Sequence, residues 1–363
     1  MSAYLDLVRF LAALAVYIVH LAASPITEDF LPWQLSQFGS VAVTIFFVLS
    51  GYVIAHVVKN RERCWTSYTS SRMSRLYSVA IVAALITFAA DWIGQAIAPD
   101  FYKIPKILSS PPSVQGYAAS LSFLNEWQIF GFGGISIGTN GPWWSLSFEA
   151  TYYLMAGLLL FAPVWISLPA SAAILFAAGP TIAVLAPLWG LGYLLYKVNA
   201  AVRLSAWAAL ALFVVGGAAI AAYPYIGLLI PPPEIPFPFG RGPFQRNVWA
   251  DYFVALAFAL HLTGANRLAM RWQTVPDTIA RLFQRAGMLT FPLYLIHYPV
   301  LSLVAAVSPF DRHGVVHAAF VSALVAIVVI AATPICEWLK RVLRAEITPR
   351  LAKWKPASLD SLQ

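Results

Sequence analysis

The sequence predicts an all-α polytopic integral membrane protein with about ten transmembrane helices and both termini in the cytoplasm. Three observations carry this prediction. Of 363 residues, 60% are hydrophobic and only 10% are charged, whereas soluble domains carry roughly a quarter charged residues. Apolar runs long enough to cross a bilayer recur along the chain, divided by charged or Pro/Gly-rich breaks. Basic residues also crowd into alternate breaks. Lys59, Arg61, Arg63, Arg72 and Arg75, then Lys197 and Arg203, then Arg267, Arg271, Arg281 and Arg285 fall on the side that holds Arg9 and the basic end beyond Lys340. Only Lys103, Lys106, Arg241, Arg246 and Arg312 fall on the other. Such a bias is what positive-inside orientation produces.

The ten segments lie at 4–23, 39–58, 76–97, 143–162, 167–183, 185–198, 205–223, 248–265, 287–307 and 315–337. No basic region precedes the first, and Arg9 interrupts it, so it reads as a retained helix and not a signal peptide. Pro180 and Pro187 interrupt the stretch that makes the fifth and sixth, and the sixth is short for a span. Residues 1–338 form one transmembrane domain, followed by a basic cytoplasmic tail over 339–363. Two outer segments, 98–142 and 224–247, are long and irregular; loops of this kind cover a site or simply cap a bundle. The net charge of +8 follows from topology and anionic lipid contact, so no nucleic-acid partner is implied. Cys64 and Cys336 are too few for a disulfide framework or zinc site, and no metal is expected. Oligomeric state is not legible in the sequence.

Ionisable residues inside hydrocarbon are costly and mark function by default. In "LDLVRFLAALAVYIVH" Arg9 and His20 are eleven residues apart. That is about 1,100° of helix, some 20° beyond three turns, so they share a face roughly 16 Å apart. Asp6 sits one turn from Arg9 and can pair with it; a local ion pair and an interfacial histidine would be the plainer account. "SSRMSRLYS" sets Arg72 and Arg75 on adjoining faces, a pair suited to phosphate or to anchoring at the membrane surface. "GPWWSLSFEATYYL" places Glu149 about 9 Å into its helix, at a depth matching His20, where it could orient the imidazole or merely complement the helix dipole. Ser145 and Ser147 offer hydroxyl donors. His297, in "FPLYLIHYPVL", precedes Pro299 by two residues and could bond a carbonyl that this proline frees. The pattern "GISIG" around Ser136 fits G-x-S-x-G, but that motif needs a strand before it and a helix after it, so Ser136 is rejected as a nucleophile.

Taken in order, "LDLVRFLAALAVYIVH", "GSVAVTIFFVLSGYVIA", "RMSRLY", "WWSLSFEATYYL" and "FPLYLIHYPV" resemble the acyltransferase 3 family of integral membrane acyltransferases. The resemblance implies a ten-helix core that uses acyl-CoA from the cytoplasm to modify a surface or secreted acceptor, often a sugar hydroxyl. It implies roles for Arg9 and His20 in the first helix, for the Arg72–Arg75 pair, for Glu149 with Trp144, Ser145 and Tyr153 in the fourth helix, and for His297 in the late block. The expected reaction is O-acylation, acetylation foremost, of a carbohydrate such as exopolysaccharide, O-antigen or lipo-oligosaccharide at a bacterial inner membrane. Acyl-CoA, acetyl-CoA above all, is the co-substrate, with its phosphates on Arg9, Arg72 and Arg75. His20 and Glu149 are the expected catalytic residues. His20 acts as general base or carries the acyl group briefly, and Trp144, Ser145, Ser147, Tyr153 and His297 support them. The competing reading is a proton-coupled permease or flippase of a sugar-containing substrate, with His and Glu as a proton relay.

Overall fold

A computed structural model describes residues 2–28, 32–105, 107–231, 247–271 and 276–353. Among these residues the chain is helical and has no strand; Ile137 and Asn140 form an isolated bridge. Each of the ten apolar segments contains a long helix. They are α1 (Ser2–Leu21), α2 (Phe38–Asn60), α3 (Trp65–Ile97), α4 (Trp144–Phe161) and α5 (Val164–Ala178), followed by α6 (Pro180–Ala201), α7 (Ala206–Ala221), α8 (Val248–Arg271), α9 (Asp277–Val307) and α10 (Val315–Ala352). Helix ends follow local chemistry. Ser205 accepts a hydrogen bond from the Ala208 N–H at the start of α7, satisfying one of the donors a helix leaves open. Gly179 stops α5 at φ +98°, and Pro180 starts α6, the order expected of Gly after one helix and Pro opening the next. The break in this stretch therefore falls at Gly179–Pro180, ahead of the expected boundary near residue 184. The α10 helix runs through residue 338 to Ala352 without a break.

Among the described residues, seven helices are long and apolar enough to cross a membrane. An eighth follows if Ala206–Ala221 and Tyr223–Leu229, bent by 54°, form one broken span. The count thus falls below the ten expected at α4 and α5, for physical reasons. Helix α4 spends much of its 18 residues on Ser145, Ser147, Glu149, Thr151, Tyr152 and Tyr153. Helix α5 has 15 residues, about 22 Å of rise against a hydrocarbon core of about 30 Å. Lys106, Arg241, Arg246, Lys355 and most of the second outer segment lie outside the described residues.

The chain divides into two compact units. One comprises Met1–Val19, Pro32–Val57 and Val184–Thr290. Its helices meet through small residues: a Cβ at Gly51 would fall on the Trp189 carbonyl, and one at Gly192 on the Val48 carbonyl. Close backbone approach of this kind is how apolar helices associate in lipid. Within it the Thr44 hydroxyl donates to buried Asp251 at 2.6 Å.

The other unit comprises His20–Leu31, Val58–Ala183 and Phe291–Gln363. Here α3 packs along α10 and beside α4, and α4 against α5. The first outer segment is pinned onto these helices. Buried Asp91 accepts from the Thr139 N–H at 3.0 Å and its hydroxyl at 2.7 Å. The Asn140 amide donates to Thr87 Oγ1 and to the Leu295 carbonyl, at 3.0 and 2.9 Å. That carbonyl is the one Pro299 leaves without its i+4 partner, so Asn140 repairs the helix that carries His297. The Ser136 hydroxyl donates to the Asn140 carbonyl at 2.6 Å. In this loop the G-x-S-x-G serine closes a turn.

Candidate active site

The second unit holds most of the residues singled out by the sequence, in two groups. The first is an arginine–carboxylate layer between α3 and α4. Arg72, 7% exposed, directs Nη2 at both Glu62 oxygens, at 2.7 and 2.9 Å. Its guanidinium also lies 5.7 Å from the Tyr68 ring centroid and 5.5 Å from that of Tyr153. A buried cation needs a partner of this kind, because unpaired charge in low dielectric is very costly. Arg75 differs. Among the described residues it has no hydrogen-bonded partner; its guanidinium faces the Phe291 ring at 5.9 Å. It lies within electrostatic reach of Tyr153, Glu149, Glu62 and Glu337. Glu149 accepts a hydrogen bond from the Tyr153 hydroxyl, one helical turn along α4. Of the two arginines, Arg72 is thus the one tied to a carboxylate by hydrogen bonds, and Arg75 is surrounded by acidic groups without such a bond among the described residues.

The second group is a histidine pair. His20, half-buried near the end of α1, meets fully buried His297 of α9, Nδ1 to Nε2, at 2.9 Å. The rings stack with centroids 5.1 Å apart, and Tyr298 meets His20 edge-on at 4.9 Å. The proton positions follow from chemistry. His297 Nδ1 lies 2.8 Å from the Leu293 carbonyl, an acceptor only, so Nδ1 must carry the hydrogen. In the neutral ring Nε2 then accepts, so His20 Nδ1–H is the donor and His20 Nε2 is left with its lone pair. A backbone carbonyl thereby sets the tautomer of a histidine on another helix.

Depth along α4 suggested that Glu149 would orient His20. The described contacts instead give His20 to His297 and Glu149 to Tyr153. The reason is reach: Arg75 is ten residues into α3, about 15 Å from its start, so the arginine layer extends up to the carboxylate. Ser145 exchanges a hydrogen bond with the Tyr294 hydroxyl at 2.7 Å. Ser147 donates its single proton to the Phe123 carbonyl at 2.7 Å, holding a residue whose φ is +59°. Trp144 packs edge-on to Phe148 at 5.0 Å. Arg9 belongs to the first unit, 3.9 Å from Asp6 across one turn of α1. Glu62 and Asn140 were not singled out by the sequence. Glu62 sits in the charged run "KNRER", where nothing local separates a buried carboxylate from a solvated one.

Comparison with known proteins decides the family. The model described as "Acyltransferase domain" matches residues 2–336. The chain belongs to the acyltransferase 3 family. It is also similar to "Acyltransferase MdmB" of Streptomyces mycarofaciens, 26% identical over 161 residues, which is 40% of this chain and 36% of that relative. The chain thus spans about a third of the length of this curated relative. No solved structure matches at a significant level. Membership of the acyltransferase 3 family together with several apolar spans makes the chain a multi-pass membrane protein.

Proposed function

We propose that the protein transfers an acyl group, acetyl foremost, from acyl-CoA to a hydroxyl of a carbohydrate acceptor, from a multi-pass core in a bacterial inner membrane with both termini cytoplasmic. The observation that carries this reading is the Leu293–His297–His20 chain, which leaves a lone pair on a reachable imidazole nitrogen. In the proposed reaction His20 Nε2 takes the proton of the acceptor hydroxyl as its oxygen attacks the thioester carbonyl carbon. Collapse of the tetrahedral intermediate breaks the C–S bond. The coenzyme A thiolate leaves, and the proton held on His20 can pass to it. The same lone pair would be the attacking atom if His20 carried the acyl group itself. His297 does not touch the reacting atoms in this scheme; it positions His20. Arg75 is the anion-binding group for the donor. Arg72, fixed by Glu62, holds Tyr153 and so Glu149 in place. Ser145, backed by Tyr294, is the hydroxyl closest in kind to an oxyanion donor.

The test is labelled acetyl-CoA added to membranes that contain the wild-type protein or its His20→Ala variant. Wild type should move label to glycan, and the variant should lose at least about a hundredfold in rate, the lower end of what acid–base catalysis supplies. Near-wild-type labelling by folded His20→Ala protein would remove His20 from the chemistry.

A further inference from the structure

The turn that follows His20 is fastened to the helix pair that carries His297. Helix α1 ends at Leu21, and a helix end leaves its last carbonyls without partners in the helix. Here the following turn takes them up. The Ala23 N–H donates to the His20 carbonyl at 3.3 Å, and the Thr27 hydroxyl donates to the Leu21 carbonyl at 2.6 Å. Ile26 and Thr27 are fully buried. The Ile26 carbonyl in turn meets His317, in the first turn of α10, whose Nε2 is 2.9 Å away.

His317 is itself 0% exposed, and its Nδ1 lies 2.8 Å from Ser308 Oγ, just past the end of α9. A carbonyl only accepts, so Nε2 carries the hydrogen, and in the neutral ring Nδ1 accepts from the Ser308 hydroxyl. Ser308 Oγ accepts from the Phe310 N–H at 3.3 Å. Both ring nitrogens are thus engaged within the protein. A line of hydrogen bonds runs from the α9–α10 loop through His317 to Ile26, and from the adjoining Thr27 to the last residue of α1, beside His20. Glu28 adds a second tie, 3.4 Å from Arg312 Nη1 and 3.0 Å from His313 Nε2. The side chains of Glu28 and His313 are 36% and 63% exposed, and ion pairs so open to water contribute little. Stranding a buried carbonyl is the more costly loss, so His317 carries the hold.

We propose that His317 is a positioning residue for His20: by holding the Ile26 carbonyl it keeps the end of α1 where His20 Nδ1 reaches His297. Helix ends fray, and one neutral hydrogen bond to His297 is a modest restraint against fraying. The effect of His317 on catalysis rests on the acyl transfer proposed above; its effect on the His20 ring does not.

The test is nitrogen-15 NMR of the purified full-length protein with labelled histidine, His20 being identified by its loss in His20→Gln, together with the kinetics of transfer from labelled acetyl-CoA. Wild type should show His20 protonated at Nδ1 and bare at Nε2. His317→Leu, which keeps bulk and removes the donor, should move His20 towards the other tautomer. Its kcat should fall at least about tenfold with the KM for acetyl-CoA unchanged, since misplacing a reacting group by about 1 Å costs up to about 100-fold. His317→Gln, whose amide can donate to Ile26, should recover part of both losses. Thr27→Val, which keeps the size and removes the hydroxyl, should move both readouts in the same direction, and it decides the matter if His317→Leu fails to fold. Glu28→Gln should stay within about twofold of wild type, as an exposed ion pair allows. A folded His317→Leu or Thr27→Val protein with the wild-type His20 tautomer overturns the proposal. So does an effect of Glu28→Gln as large as that of His317→Leu, which would put the hold at the exposed rim. A shifted tautomer with wild-type kcat would instead keep His317 as the positioning residue and remove His20 from the chemistry.

Discussion

Replacing His297 by phenylalanine tests the histidine pair most directly. The ring and its burial are kept, while both nitrogens are lost at a site that is 0% exposed. The group removed is one neutral acceptor, 2.9 Å from His20 Nδ1. A neutral intramolecular hydrogen bond contributes about 0.5–1.5 kcal/mol net. At about 1.4 kcal/mol per tenfold, the ratio of the productive His20 tautomer to the other should fall about 2- to 12-fold. The expected result is a loss of that size in kcat for transfer from labelled acetyl-CoA, with the KM for acetyl-CoA unchanged, because His297 does not touch the donor. His20→Ala should lose about 100-fold or more on the same assay. His297→Gln, whose amide oxygen can accept from Nδ1–H, should recover part of the loss; a merely structural role would not be rescued in this way. A folded His297→Phe protein with wild-type kcat, or one whose defect lies wholly in KM, would refute the tautomer argument.

Three further outcomes follow from the same contacts. Glu126, half-buried in the loop before α4, has its carboxyl pushed up to about 8 by burial, which the Gly134 N–H and the Asn125 side chain only partly offset. The folded state then binds more protons than the unfolded chain between pH 4.5, the ordinary value, and about 8. Its contribution therefore favours folding at the acid end and is lost as pH rises through 8, so wild-type Tm should fall across this range more steeply than that of Glu126→Gln. Glu62→Gln leaves the buried Arg72 charge uncompensated and should cost about 3–5 kcal/mol, whereas the paired Glu62→Leu/Arg72→Met protein should lose far less; comparative thermal unfolding reads both. Asn140→Leu strands the Leu295 carbonyl that Pro299 already frees, an expected loss of about 1–3 kcal/mol, accompanied by lower activity because the His297 segment is no longer held.

The sequence by itself determined where helices form. Apolar length and Pro/Gly punctuation are local properties, and all ten expected segments contain a helix. It also placed Arg9 and His20 on one face of α1, because helical periodicity alone fixes that. The sequence marked the ionisable residues worth following, since a bilayer makes each of them expensive. It did not determine their partners. His20 meets His297 across 277 residues of chain, Glu62 neutralises Arg72, and Glu149 joins the Arg75–Tyr153 layer although its depth along α4 pointed to His20. Depth can be counted along one helix. Which face of that helix meets which neighbour depends on rotation and packing order among segments that are all comparably apolar. Hydropathy is nearly blind to that choice, so only the packed structure decides which buried proton goes to which acceptor.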